Sequence, residues 1–168
     1  MPPVTDRPPT NRQSQAQGIS GTLHRCRYWL GDPHFVIAVL AAMPVWVALG
    51  LVAGDRMRPS GTLMALISFL VVQPIVEELV FRGALQGHLL GRGWTRRIGP
   101  VSSANLVTTT AFAALHLLAQ PPAWAIAVAA PSLVFGHLRE RFTSVLPSIA
   151  LHSIYNAGFA FTAWCVQR

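Results

Sequence analysis

The sequence contains no lysine, and acidic side chains are nearly as scarce: six among 168 residues, against thirteen arginines. Charged residues make up 11% of the chain, where an ordinary soluble domain carries about a quarter. A soluble domain of this length must cover a large surface with polar groups, and so few charges cannot do that. Disorder is excluded from the other side, because disordered chains are poor in the apolar residues that here reach 52%. Cysteine is also sparse. Cys26 and Cys165 stand at opposite ends of the chain, outside any CxxC or Cys/His spacing, which argues against a disulfide framework and against a zinc site of the usual kind. What remains is an integral membrane protein, in keeping with a mean hydropathy of +0.43. The net charge of +7 does not read as a nucleic-acid footprint, because the arginines are scattered along the chain rather than gathered on one helix. In so apolar a chain they read as loop residues that fix membrane orientation.

Residues 1–34 hold five prolines and four arginines and read as a flexible polar tail that turns basic beside the membrane. Residues 35–168 form the transmembrane helical domain. The run from Phe35 to Gly54 carries no charge and is long enough to cross about 30 Å of hydrocarbon at about 1.5 Å per residue. A second helix starts near Gly61 after the DRMRPS loop and stays helical in pattern to Leu90, with Pro74 bending it one turn before a pair of glutamates. A glycine- and arginine-rich turn occupies 91–100. A third helix covers roughly 101–119, a short fourth covers 123–138, and a fifth runs over about 144–166. The expected fold class is therefore all-α, a polytopic bundle of about five transmembrane helices. Helices are the form such runs adopt, since each backbone group must be bonded within its own segment. Seven arginines flank the helix ends on one side and three on the other, which places the N-terminus in the cytoplasm. Trp29, Trp94, Trp124 and Trp164 fall near helix ends as interfacial anchors, and Trp46 reads as packing.

Four of the six acids, Asp6, Asp32, Asp55 and Glu140, stand in polar surroundings, but Glu77 and Glu78 lie within an apolar run. Arg82, His116, His152 and Asn156 share that anomaly. Ionised groups cost a few kcal/mol in hydrocarbon, and residues of this kind face a protected interior and take part in function. Glu78 and Arg82, four apart, can satisfy each other as a purely structural pair, and His152 with Asn156 can link helices. Glu77 points about 100° away from Glu78 and needs a partner of its own. Register offers one. Glu77 precedes the 92–100 turn by 15 residues and His116 follows it by 16, so an antiparallel hairpin puts both at about the same depth, roughly 23 Å from the turn. His152 and Asn156 fall at roughly 17 and 23 Å beyond the Arg141 turn and share one helical face. A buried carboxylate has a raised pKa that suits a general base, and imidazole and amide N–H groups can stabilise an oxyanion. The remaining histidines, His24, His34, His88 and His137, read as interfacial or structural.

In order along the chain stand EELVFR at 77–82, FAALH at 112–116 and HSIYN at 152–156. These resemble the EExxxR, FxxxH and HxxxN motifs of the CPBP family of intramembrane glutamic endopeptidases, the CAAX protease and bacteriocin-processing (Abi) group. Gly83 and the FGHLRERF stretch at 135–142 add to the likeness, which covers about residues 60–160. The resemblance implies an α-helical membrane endopeptidase, of compact bacterial type, in which glutamate and histidine activate water with no metal and no cofactor. Carried over by position, Glu77 would be the general base and His116 would hold the water. His152 and Asn156 would form the oxyanion hole, with Glu78 and Arg82 in support. The substrate would be a membrane protein or peptide, with a C-terminal sorting tail as one candidate, and the setting a bacterial inner membrane. Two alternatives stay open: a zinc protease using Glu77, His116 and His152, though HExxH is absent, and a non-proteolytic immunity or scaffold protein.

Overall fold

The computed structural model describes residues 28–53 and 61–168. Most of the N-terminal tail, including His24, Cys26, Arg25 and Arg27, and the loop holding Asp55, Arg56 and Arg58 lie outside the described residues, and the arginine tally that fixed the orientation lies partly with them. The first helix, α1 (Pro33–Ala53), starts where expected. Asp32 caps it: its Oδ1 accepts the backbone N–H of His34 at 2.9 Å, and Pro33 occupies the first helical position, where no N–H is needed. The second helix, α2 (Leu63–Gly91), is continuous over 29 residues and capped by Thr62. Among the described residues these two helices are long and apolar enough to cross a membrane. Both expose rows of Val, Leu and Ile that water would not tolerate over such an area. The chain is an all-α membrane protein.

Pro74 acts on α2 as a change of helical winding. A proline removes one donor and crowds the carbonyl a turn earlier; here Ser68–Val72 widens to π-helical geometry just ahead of it. The glutamates then end a short α-helical stretch, Gln73–Glu78, before a second π-helical segment, Leu79–Gln86. Such wide turns inside α-helices cluster at functional sites.

The expected turn at 91–100 contains a small hairpin, with β1 (Arg97–Ile98) paired antiparallel to β2 (Val101–Ser102) around Gly99 at φ +58°. Ser102 ends it and caps α3 (Ser103–His116) by accepting the N–H of Asn105 at 3.0 Å. The expected fourth helix is divided into α4 (Pro122–Ala127) and α5 (Ala129–Phe142), separated by a turn at Val128. With α3 and α5 at 14 residues each, they extend about 21 Å, less than the hydrocarbon thickness. The last helix, α6 (Leu146–Val166), matches the expected segment.

The helix α6 lies at the centre of the bundle, packing on both α1 and α5. Leu151 joins Phe35, Ala38, Phe135 and Leu138 in the core. Glycines set the closest approaches. At Gly158 an added Cβ would enter the Trp46 ring of α1, and at Gly136 it would enter the Asn105 side chain of α3. Trp46 is thus core packing, edge-on to Tyr155, whose hydroxyl donates to the Ala38 carbonyl at 2.8 Å.

Candidate active site

The polar residues of α2 repeat every four positions, Glu78, Arg82 and Gln86, and all three are fully buried. Four-residue spacing aligns them on one face, and α5 meets that face with its own four-residue repeat, Ser132, Gly136 and Glu140. Arg82 Nη2 donates to the Ser132 carbonyl at 3.1 Å and to its Oγ at 2.6 Å. One turn on, the Gln86 amide donates to the Gly136 carbonyl at 3.0 Å and to Glu140 Oε1 at 2.8 Å. Glu140 also accepts from Ser102 and Arg97, which locks the hairpin to the end of α5. The Ser132 hydroxyl in turn donates to Thr109 Oγ1 at 3.0 Å. The result is a polar seam through an apolar bundle, where each bond replaces one that lipid could not supply.

At the inner end of the seam lie the glutamates. Glu78 Oε1 accepts from Arg82 Nη1 at 3.1 Å and from His152 Nδ1 at 2.9 Å. The guanidinium of Arg82 also lies over the faces of Phe112 and Phe135, 4.7 and 5.3 Å from their centroids, so a buried cation meets negative charge on one edge and ring quadrupoles on its planes. Phe135 stacks on the His152 ring at 4.9 Å. The structural pairing of Glu78 with Arg82 foreseen in the sequence is therefore present, and His152 joins it as a third member.

Glu77 sits differently. Its side chain is 29% exposed and its Oε2 lies 3.8 Å from His152 Nε2. One imidazole thus stands between two carboxylates: the Nδ1 edge is committed to Glu78 and the Nε2 edge faces Glu77 across a gap longer than a hydrogen bond. A gap of that size suits a bridging water. Equal depth along the hairpin points to His116 as the partner of Glu77; the contact in the structure is with His152. His116 reaches the same cluster through Phe112. Its ring packs on Phe112 at 4.4 Å, Phe112 packs on His152 at 6.3 Å, and His116 Nδ1 donates to the Phe112 carbonyl at 2.9 Å. That bond leaves the Nε2 of a neutral His116 as an acceptor. Asn156, one turn beyond His152, donates from Nδ2 to the Phe69 carbonyl of α2 at 2.8 Å.

Several participants escaped sequence reasoning. Ser132 and Gln86 are ordinary polar residues of predicted helices, and only the matching four-residue repeats on α2 and α5 hint that they meet. Phe112 was legible as a motif letter, but its position beneath Arg82 and between two histidines was not. His34 and His137, read as interfacial and structural, lie 3.0 Å apart ring nitrogen to ring nitrogen. Among the described residues no three His, Cys, Asp or Glu side chains are grouped as metal ligands.

Two carboxylates and His152, with His116 joined to them through Phe112, are thus brought together on the helices of an all-α membrane protein, one carboxylate charge-compensated and the other partly exposed. The particular family follows from comparison with known proteins. The family described as type II CAAX prenyl endopeptidase Rce1-like matches residues 59–158, and the chain belongs to it. The matched region begins just before α2 and contains Glu77, Glu78, Arg82, His116, His152 and Asn156. It is a family of proteases. No curated protein and no solved structure matches the chain.

Proposed function

We propose that the chain is an intramembrane endopeptidase of the glutamic type, which hydrolyses a peptide bond in a membrane-associated protein or peptide without a metal or other cofactor. The observation that carries this reading is the division of labour between adjacent glutamates. Glu78 is buried and bonded to Arg82 and His152, whereas Glu77 is accessible and 3.8 Å from His152 Nε2. Glu77 takes the proton of a water whose oxygen attacks the scissile carbonyl carbon, and His116 Nε2 helps to hold that water. The developing oxyanion accepts hydrogen bonds from His152 and Asn156. To donate there, His152 needs a proton on Nε2 besides the one that Nδ1 gives to Glu78. Collapse of the tetrahedral intermediate breaks the C–N bond, and the proton held by Glu77 passes to the leaving amine. Glu78 and Arg82 keep His152 in place.

The N-terminus is read as lying on the cytoplasmic side of a bacterial inner membrane. The substrate is a membrane protein or peptide, one with a C-terminal sorting tail being the first candidate. The family description supplies a first laboratory probe, a prenylated peptide ending in a CAAX sequence. Comparing membrane-fraction proteomes of cells carrying wild-type protein or Glu77→Gln extends the search to unprenylated substrates. Glu77→Gln is expected to fold and insert normally and to lose at least about 10²-fold in cleavage, the scale of general-base catalysis. Cleavage by the purified variant at the wild-type rate would refute the assignment. Metal independence is tested separately: activity should persist in chelator, and a loss restored by zinc would assign the chemistry to a metal instead.

A further inference from the structure

Two hydrogen bonds between α6 and side chains or carbonyls of α2 fall on either side of Pro74, and one of them answers a defect the proline creates. In the widened turn ahead of it, the Gln73 N–H bonds to the Ser68 carbonyl five residues back. The next bond in that register would run from residue 74 to the Phe69 carbonyl, and proline has no N–H to give. A carbonyl left bare inside a membrane is costly. The Phe69 carbonyl is the one that Asn156 Nδ2 reaches, at 2.8 Å. Beside it the Phe69 and Phe159 rings pack at 6.1 Å, so α6 is seated on α2 at this turn by apolar contact as well. Nine residues along α2, His152 holds Glu78. The stretch from Phe69 to Glu78, which carries Pro74 and Glu77, is therefore held at both ends by residues one turn apart on the same face of α6.

We infer that Asn156 is a positioning residue: it replaces the hydrogen bond that Pro74 removes from α2 and thereby sets the rotation at which Glu77 faces His152. An amide carries two N–H groups, so this tether uses one and leaves the other for the oxyanion. The positioning claim rests on reading Glu77 as the general base; the tether itself does not.

The test is a double-variant cycle on the purified full chain in detergent micelles, with Asn156→Leu, Pro74→Ala and their combination. Alanine at 74 restores an N–H that can bond within α2, which makes the tether redundant. Asn156→Leu is expected to lower the melting temperature by about 2–4 °C, and by no more than half as much in the Pro74→Ala background. The imidazole ring resonances of His152, followed by NMR at one fixed pH, are expected to shift in Asn156→Leu and to return toward wild type in the double variant. Equal melting-temperature losses in both backgrounds, or unmoved His152 ring resonances, would overturn the inference. If Asn156→Leu alone does not fold, recovery of folded protein on adding Pro74→Ala supports the tether, and failure to recover overturns it. None of these measurements needs turnover, so absence of proteolysis and absence of the tether are distinguishable results.

Discussion

Replacing Arg82 with methionine removes a cation from the most enclosed point of the bundle while nearly preserving its volume. In the wild type this guanidinium, fully buried, bonds to Glu78 at 3.1 Å and to Ser132 at 3.1 and 2.6 Å. The variant strands the Glu78 carboxylate with His152 as its remaining donor. Breaking a buried ion pair from one side costs about 3–5 kcal/mol, because the surviving charge has no water to return to. At 1.4 kcal/mol per decade, a loss near 4 kcal/mol lowers the folding equilibrium by roughly 10³-fold. The second variant decides the cause. Arg82→Met with Glu78→Leu removes both charges and fills the space with apolar atoms, which is often close to neutral, so the remaining loss should be about 1–3 kcal/mol for the unpaired N–H of His152 and the Ser132 acceptors. Equilibrium unfolding in detergent, read by tryptophan fluorescence, measures wild type, Arg82→Met, Glu78→Leu and the double variant. A double variant that loses the sum of the two single losses would refute the idea that a stranded charge dominates. A silent Arg82→Met would refute the pair itself.

Gly136→Ala is expected to destabilise by about 1–3 kcal/mol, the cost of overpacking. Its new Cβ enters the Asn105 side chain, which is pinned by its 2.9 Å bond to the Leu133 carbonyl; a melting temperature equal to wild type would show that α3 and α5 can slide apart freely. Acid should act at the start of α1. Arg141 donates to Asp32 from Nε at 3.0 Å and from Nη2 at 2.9 Å, and this fork, with the His34 N–H, holds the Asp32 carboxyl below its ordinary 3.8. A carboxyl whose pKa is lower folded than unfolded contributes fully above the unfolded value and loses that contribution as pH falls through the folded one. The stability gap between wild type and Asp32→Asn should thus stay constant down to about pH 5 and close below about pH 4. A gap that persists unchanged at pH 3 in thermal unfolding would contradict the pairing.

The membrane setting and the helices were legible because hydrophobic run length and scarcity of charge act locally. The ends of α1, α2 and α6 fall within a few residues of expectation for that reason. The break at Val128 was not legible, since alanine- and valine-rich sequence on both sides fits one helix as well as two. Nor was the hairpin at 97–102, whose pairing depends on Ser102 and Arg97 both reaching Glu140 of α5, 38 and 43 residues on.

For the site, the linear chain decided which residues are anomalous. Glu77, Glu78, Arg82, His116, His152 and Asn156 are all polar groups where hydrocarbon penalises them, and that penalty is visible without coordinates. Sharing one layer also follows from rise per residue. Partnership does not. Depth along a helix says nothing about rotation around it, so sequence could not tell whether Glu77 faces His116 or His152. Rotation is set by how α6 beds against α1 and α5, through Gly158 under Trp46 and Phe135 under His152, and by how Pro74 rewinds α2. Only tertiary packing supplies those angles, and they are what separate a buried, compensated Glu78 from an accessible Glu77.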